Sequence, residues 1–259
     1  MICASCGRVG RFVAAIALAM FALPLFAARS AASADTTSVS TSVGAPGSLT
    51  APSSASGVRY LYLIRHGMYD RDSTDIDRSG NGLNALGREQ ARLVGERLAS
   101  LGVPITAFVT SDFTRARETA EEIGRVLGIA AVEDSLIHEC TPTTGRAEYS
   151  LYSSPEENAQ CDACLQAAWE KYARPSPDAN AYDVLVCHGN VIRWFATKAL
   201  GLEITRWWAM DIANASLTVI AVRADGSTRL AVFSDAAHIP VEKQSWTGRG
   251  AGWHPPPRK

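Results

Sequence analysis

The chain has 259 residues, with 25 Lys and Arg against 26 Asp and Glu and a formal net charge of −1. Arg8, Arg11 and Arg29 all precede Asp35 and no acid does, so the chain from Asp35 onward holds 22 basic against 26 acidic residues. A net of −4 argues against nucleic acid as the main partner, while leaving room for a local positive pocket.

The first 34 residues read as a secretory signal peptide. Arg8 and Arg11 precede an apolar run from Phe12 to Ala28 broken only by Pro24, and Ala32-Ser33-Ala34 supplies a cleavage pattern. The expected location is periplasmic or secreted. The alternatives are an organelle presequence or an uncleaved membrane anchor, for which 17 residues with an internal proline is short. No stable membrane span is expected after cleavage. Residues 35–57 contain 11 Ser or Thr in 23 positions and read as a flexible linker, unable to bury enough apolar surface to offset chain entropy. Residues 58–240 are the right size for one domain, and 241–259 are set apart as a tail.

Within the domain, strand and helix patterns alternate. Val58 to Ile64 reads as a strand. Ala85 to Leu101 carries apolar residues on one helical face and meets a stop at Gly102. Ile105 to Thr110 is a second strand. Asp112 is positioned as the N-cap of a helix through Leu127 that Gly128 closes. A short strand near Ala130 to Val132, a helix over Pro155 to Tyr172, a strand over Asp183 to Cys187 and a helix over Val191 to Leu200 follow. Ser216 to Arg223 and Arg229 to Ser234 form a hairpin, with Asp225-Gly226 as turn signal. The pattern implies an α/β fold: a three-layer αβα sandwich around a mostly parallel central sheet.

Ligands of such sheets bind beyond the carboxyl ends of the strands. Arg65, His66 and Gly67 follow the first strand, Arg115 the second, and His188 and Gly189 the strand ending at Cys187. Two arginines suit a phosphate dianion, His66 can attack phosphorus, and His188 beside a helix start adds donors. Glu139 is the candidate general acid for the leaving group and then the base for water. Spacing alone does not choose between Arg115 and Arg117, and Glu133 and Glu148 compete with Glu139. His238 is read either as pocket rim or as a structural loop residue, and His254 receives no role. His138, Cys140, Cys161 and Cys164 have the look of a zinc set, although the Cys161 region is helical in composition; Cys140 is otherwise a candidate for a disulfide. Cys187 reads as a buried small hydrophobe.

These motifs together resemble a known family. Leu63-Ile64-Arg65-His66-Gly67, Leu86 to Ala91, Ser111 with Thr114 to Thr119, and Cys187-His188-Gly189-Asn190 are similar to the histidine phosphatase superfamily, in its phosphoglycerate-mutase-like branch. The acid phosphatase branch is disfavoured, because Met68 to Arg71 and His188-Gly189 depart from its pattern. Within the branch the chain most resembles the mitochondrial serine/threonine protein phosphatases, through Arg97 to Gly102 and Asn190 to Arg193. The resemblance implies a metal-free phosphomonoesterase without cofactor, working through a phosphohistidine on His66. It further implies that Arg115 rather than Arg117 takes the phosphate, that Glu139 is the acid, and that the partner is a phosphorylated small molecule or phosphoprotein. Met68-Tyr69-Asp70 depart from the residues many branch members carry there, which points away from mutase activity. A mutase and a silent phosphate-binding module are the rivals. Cys140 to Tyr182 is expected to cover the pocket, with Arg146, Tyr149, Tyr152 and Trp169 either touching substrate or packing the cover down.

Overall fold

The computed structural model describes residues 57–70, 80–149 and 153–246. The expected signal peptide at 1–34, the linker through residue 56, Arg71, Tyr152 and the tail beyond residue 246, His254 included, lie outside the described residues.

Six strands form one sheet in the order β3-β2-β4-β1-β5-β6. They are β1 (Arg59–Arg65), β2 (Ala107–Thr110), β3 (Val132–Glu133), β4 (Ala181–Cys187), β5 (Leu217–Val222) and β6 (Thr228–Asp235). β3, β2, β4 and β1 run parallel to their neighbours. β5 pairs antiparallel with both β1 and β6, so the sheet is mixed. The 223–227 turn closes the expected hairpin, with Gly226 at φ +80°.

Alternation along β1 sorts the core onto two faces, as a two-residue period requires. Leu61 and Leu63 pack with α3 (Pro155–Tyr172) and α4 (Gly189–Ala199), through Leu165, Ile192 and Phe195 among others. Tyr62 and Ile64 pack with α1 (Ala85–Leu101) and α2 (Thr114–Leu127), through Val94, Leu98, Ala120 and Ile123. This gives the expected three layers. α1 starts where the Asn84 side chain accepts from Gly87 N–H at 2.9 Å and stops at Gly102, whose φ of +62° suits a residue without Cβ. α3 begins with a reciprocal Ser154–Glu157 capping box and Pro155 in its first turn.

Two expectations need correction. The cap of α2 is Phe113, not Asp112, and no side chain caps it; instead Phe113 N–H donates to Ser111 Oγ at 3.3 Å. Nor does the whole segment from Cys140 to Tyr182 cover a pocket. Cys161, Leu165, Ala168 and Tyr172 are buried, which makes α3 part of a core layer, and Trp169 packs edge-on against Phe195 at 5.4 Å. Tyr149 and Arg146 rest instead on the 3₁₀ turn Ile204–Ala209, against Trp207 (5.1 Å) and Trp208 (4.2 Å).

Because β1, β2 and β4 are parallel, their carboxyl ends share one edge of the sheet. Antiparallel β5 begins at that same edge, which brings the loop before Leu217 beside Arg65 and His66. Residues 241–246 are held there too: Gln90 Nε2 donates to Lys243 O at 2.7 Å, and Asn214 N–H to Ser245 O at 2.9 Å. Among the described residues no helix is long and apolar enough to cross a membrane.

Candidate active site

The shared strand edge collects Arg65, His66, Arg115, Glu139 and His188. His66 and His188 are buried, with ring centroids 5.2 Å apart. A ligating atom from each of His66, Glu139 and His188 lies within 4.8 Å of the others. Of the two competing acids, Glu133 is exposed on β3 with Arg117 as its partner at 3.9 Å, and the Glu148 side chain lies outside the described residues. Arg115 and Arg117 are separated by the helix itself. Arg117 is on the outer side, where it also donates to Thr114 Oγ1 at 3.2 Å, while Arg115 is buried.

Each side chain is held from behind. His66 Nδ1 lies 2.8 Å from Gly67 O; because a carbonyl only accepts, Nδ1 carries the proton and Nε2 keeps a lone pair. Arg65 donates from Nη1 to Ile212 O at 2.5 Å. The Arg115 guanidinium is sandwiched between Tyr69 and Phe113, its carbon 4.9 Å from each ring, and its buried Nε has no partner among the described residues. His188 Nε2 lies 2.8 Å from Ser111 Oγ. Its Nδ1 has no hydrogen-bond partner among the described residues and stands 3.9 Å from Glu139 Oε2. Glu139 Oε1 accepts from Asn190 N–H at 3.3 Å, in the first turn of α4.

The two glycines differ in use. A Cβ on Gly67 would lie 2.4 Å from Gly87 O, so this turn packs backbone to backbone against α1. Gly67 N–H donates to Thr119 Oγ1 at 3.0 Å, and that hydroxyl donates to Arg115 O at 2.7 Å. The turn is thereby tied to the helix that carries Arg115. Gly189 opens α4 and faces the Arg65 guanidinium, with a Cβ position 3.6 Å from Nε.

Burying two arginines beside two histidines shapes how His66, His188 and Arg65 titrate. Burial, then the charges of Arg115 and Arg65, hold the His66 imidazole well below its ordinary value of 6.5; the Gly67 carbonyl opposes them. His188 is likewise lowered, by burial, Arg115, His66, His138 and Arg65. Burial raises the Glu139 carboxyl above 4.5, against the pull of Arg115, Arg65, Arg193 and Asn190 N–H. Arg65 falls to about 10, through burial and then Arg193, and stays charged near neutrality. The arrangement offers neutral imidazoles, fixed cations and a carboxyl that retains its proton longer than usual.

Some contributors carried little signal in the sequence. The Asn214 side chain donates to His66 O at 3.1 Å, and Ala215 N–H to Arg65 O at 3.1 Å. Ala215 sits at φ +51°, a left-handed conformation unusual for alanine, and its carbonyl accepts from His238 Nε2 at 3.0 Å. His238 is thus a structural loop residue. Tyr69 and Phe113 frame Arg115. Cys140 is bonded to Cys161, which removes both sulfurs from any zinc set; Cys164 and Cys187 are buried thiols outside that disulfide.

Residues 61–148 and 144–235 match the model of the histidine phosphatase superfamily, branch 1. The chain belongs to that family. It is 34% identical over 194 residues to the mitochondrial serine/threonine-protein phosphatase PGAM5 of Xenopus tropicalis, covering 73% of this chain and 69% of the relative. The human PGAM5 phosphatase is 35% identical over 196 residues, covering 73% and 66%. Among solved structures, Bacillus stearothermophilus YhfR shares the fold with a TM-score of 0.53 at 22% identity, over 70% of this chain and all (100%) of that one. The chain is therefore a phosphatase enzyme of the histidine phosphatase type, acting on phosphorylated substrate. The same relatives overturn one expectation. They are named as mitochondrial proteins, which contradicts the periplasmic or secreted location read from the apolar segment before Asp35. That reading relied on the N-terminal pattern alone, and targeting segments of different destinations share basic residues and a scarcity of acids.

Proposed function

We propose that this phosphatase hydrolyses phosphate monoesters in two displacements through a phosphohistidine on His66, without a metal ion. The observation that carries the reading is the His66 ring: its Nδ1–H is fixed on Gly67 O, its low basicity keeps it neutral, and Nε2 is left as the nucleophile. Arg65 and Arg115 bind the phosphoryl oxygens and offset the charge that builds in the transition state. His188 Nε2 lies 2.8 Å from Ser111 Oγ, much nearer than Asp112 Oδ1 at 3.4 Å; in this mechanism the hydroxyl proton turns to His188 Nε2, and His188 Nδ1–H becomes a further donor to the phosphoryl group.

In the first step Nε2 attacks phosphorus, and the bond to the leaving oxygen breaks as that oxygen takes the proton of Glu139. In the second step the Glu139 carboxylate accepts a proton from water, whose oxygen attacks phosphorus and releases His66 and inorganic phosphate. Gly67 serves by close packing, since its N–H is already committed to Thr119; Gly189 leaves room beside Arg65. The name of the relatives suggests phosphoserine and phosphothreonine proteins as the substrate class.

The test compares hydrolysis of an aryl phosphate by the native chain, the His66→Ala variant, and the native chain treated with a chelator. Loss of turnover in the variant with no effect of chelation is expected. A fully active His66→Ala variant, or loss of activity on chelation, refutes the mechanism. Phosphate migration within phosphoglycerate without net release would favour the mutase reading.

A further inference from the structure

Glu139 stands in a stretch without helix or strand, between the turn Ser135–Ile137 and the turn Ala147–Tyr149. A general acid must be held to within about 0.5 Å of its productive place, and an irregular segment does not do this by itself. The residue next to it supplies the hold. Cys140 is disulfide-bonded to Cys161, with 5.7 Å between their Cα atoms. Cys161 lies on α3 and is buried in the same core cluster as Leu165, Val191 and Ile192, against which Cys140 also packs. On its other side Cys140 O accepts from Asn190 Nδ2 at 2.9 Å, and the backbone N–H of the same asparagine reaches Glu139 Oε1. Cys140 is therefore fixed twice, covalently to α3 and by a hydrogen bond to α4, the helix whose N-cap is His188.

We propose that the Cys140–Cys161 disulfide is a positioning element for catalysis: it holds the Glu139 carboxyl where it can protonate the leaving oxygen. This rests on Glu139 being the general acid. A disulfide that only stabilised the fold would lower activity on every substrate alike when removed. One that positions the acid affects substrates according to their need for a proton. An aryl phosphate expels a stabilised phenolate and needs little help, whereas the alkoxide of a phosphoserine peptide must be protonated as it leaves. The value of kcat/KM reports the step that forms the phosphoenzyme and so isolates this requirement from the later attack of water.

The experiment measures kcat/KM for p-nitrophenyl phosphate and for a phosphoserine peptide, with the native chain, the Cys140→Ser/Cys161→Ser variant and Glu139→Gln. The ratio of peptide to aryl activity is expected to fall on the order of tenfold in the double variant, with the aryl value nearly unchanged, and further in Glu139→Gln. An unchanged ratio in the double variant, with the ratio lowered in Glu139→Gln, overturns the positioning role and leaves the acid assignment standing. An unchanged ratio in Glu139→Gln refutes the acid assignment and the inference with it. An equal fall on both substrates in the double variant reduces the disulfide to a structural brace. Should that variant not fold, the native chain reduced with dithiothreitol, and shown by titration to have gained two thiols, gives the same comparison. There the dithiol closes to its cyclic disulfide while Cys140 and Cys161 each take up a proton.

Discussion

Replacing Gly67 by alanine tests whether the site depends on the backbone contact between the His66 turn and α1. The added Cβ would lie 2.4 Å from Gly87 O and 3.0 Å from both Gly87 C and Cα, where ordinary contact begins at 3.4 Å. About 1 Å of separation must therefore open between two backbones, and no side chain can rotate aside to provide it. Gly87 is equally closed, since its own Cβ would lie 2.0 Å from Met68 O. Overpacking of this kind costs about 1–3 kcal/mol, and the lower entropy of an unfolded chain with alanine returns about 0.4–1 kcal/mol. A net loss of about 1–2 kcal/mol corresponds to a fall in Tm of roughly 2–8 °C for a domain of this size. The neighbouring imidazole moves with the turn, and a displacement of about 1 Å lowers kcat/KM on the order of a hundredfold. Thermal unfolding and aryl phosphate hydrolysis measure the two effects. Gly189→Ala is the control, because its Cβ meets Arg65 Nε at an ordinary 3.6 Å; its stability should stay within about 0.5 kcal/mol of native. Native stability and activity in Gly67→Ala would refute the reasoning.

Ser111→Ala removes the hydroxyl 2.8 Å from His188 Nε2 to which the proposed mechanism assigns the His188 tautomer; kcat/KM for an aryl phosphate should fall about three- to tenfold, and an unchanged value would show that Ser111 does not orient the ring. His66 and His188 are both lowered below 6.5 in the fold, so below that pH the unfolded chain holds more protons than the folded one. Their contribution to stability is complete above about pH 6.5 and is lost as pH falls through the folded-state values, by about 1.4 kcal/mol per pH unit for each group. Urea unfolding at pH 7.5 and 5.5 should show this decline and a smaller one in His188→Asn; equal declines would contradict it.

Much of the candidate site's geometry was legible because each residue reports where its own strand ends. Arg65, His66, Arg115 and His188 follow apolar runs, and parallel strands bring such ends to one edge without further information. The αβα layering was legible because apolar strand runs alternate along the chain with helical stripes such as that of α1, which are local patterns. What could not be read depends on pairings between distant segments. Nothing in the sequence near Ser111 says that its hydroxyl meets His188, 77 residues on. The insertion of β5 antiparallel beside β1 brings Asn214 and Ala215 to His66, and Ala215 carries no signal for its left-handed backbone. Spacing did not separate Arg115 from Arg117; the family resemblance favoured Arg115, and the packing of α2 buries Arg115 while Arg117 stays on the outer side. The location went astray for a different reason: an N-terminal composition is compatible with more than one destination, and the relatives carry the information that the segment lacks.

The central claim is a covalent phosphate on His66, and rapid-quench labelling tests it most directly. The enzyme is mixed with a substrate radiolabelled in its phosphoryl group, quenched in alkali within the first turnover, digested and mapped. The mechanism predicts base-stable, acid-labile label on the peptide containing His66, absent from a folded His66→Asn variant. Turnover with no label on any histidine peptide, or with label on His188 in its place, would contradict it.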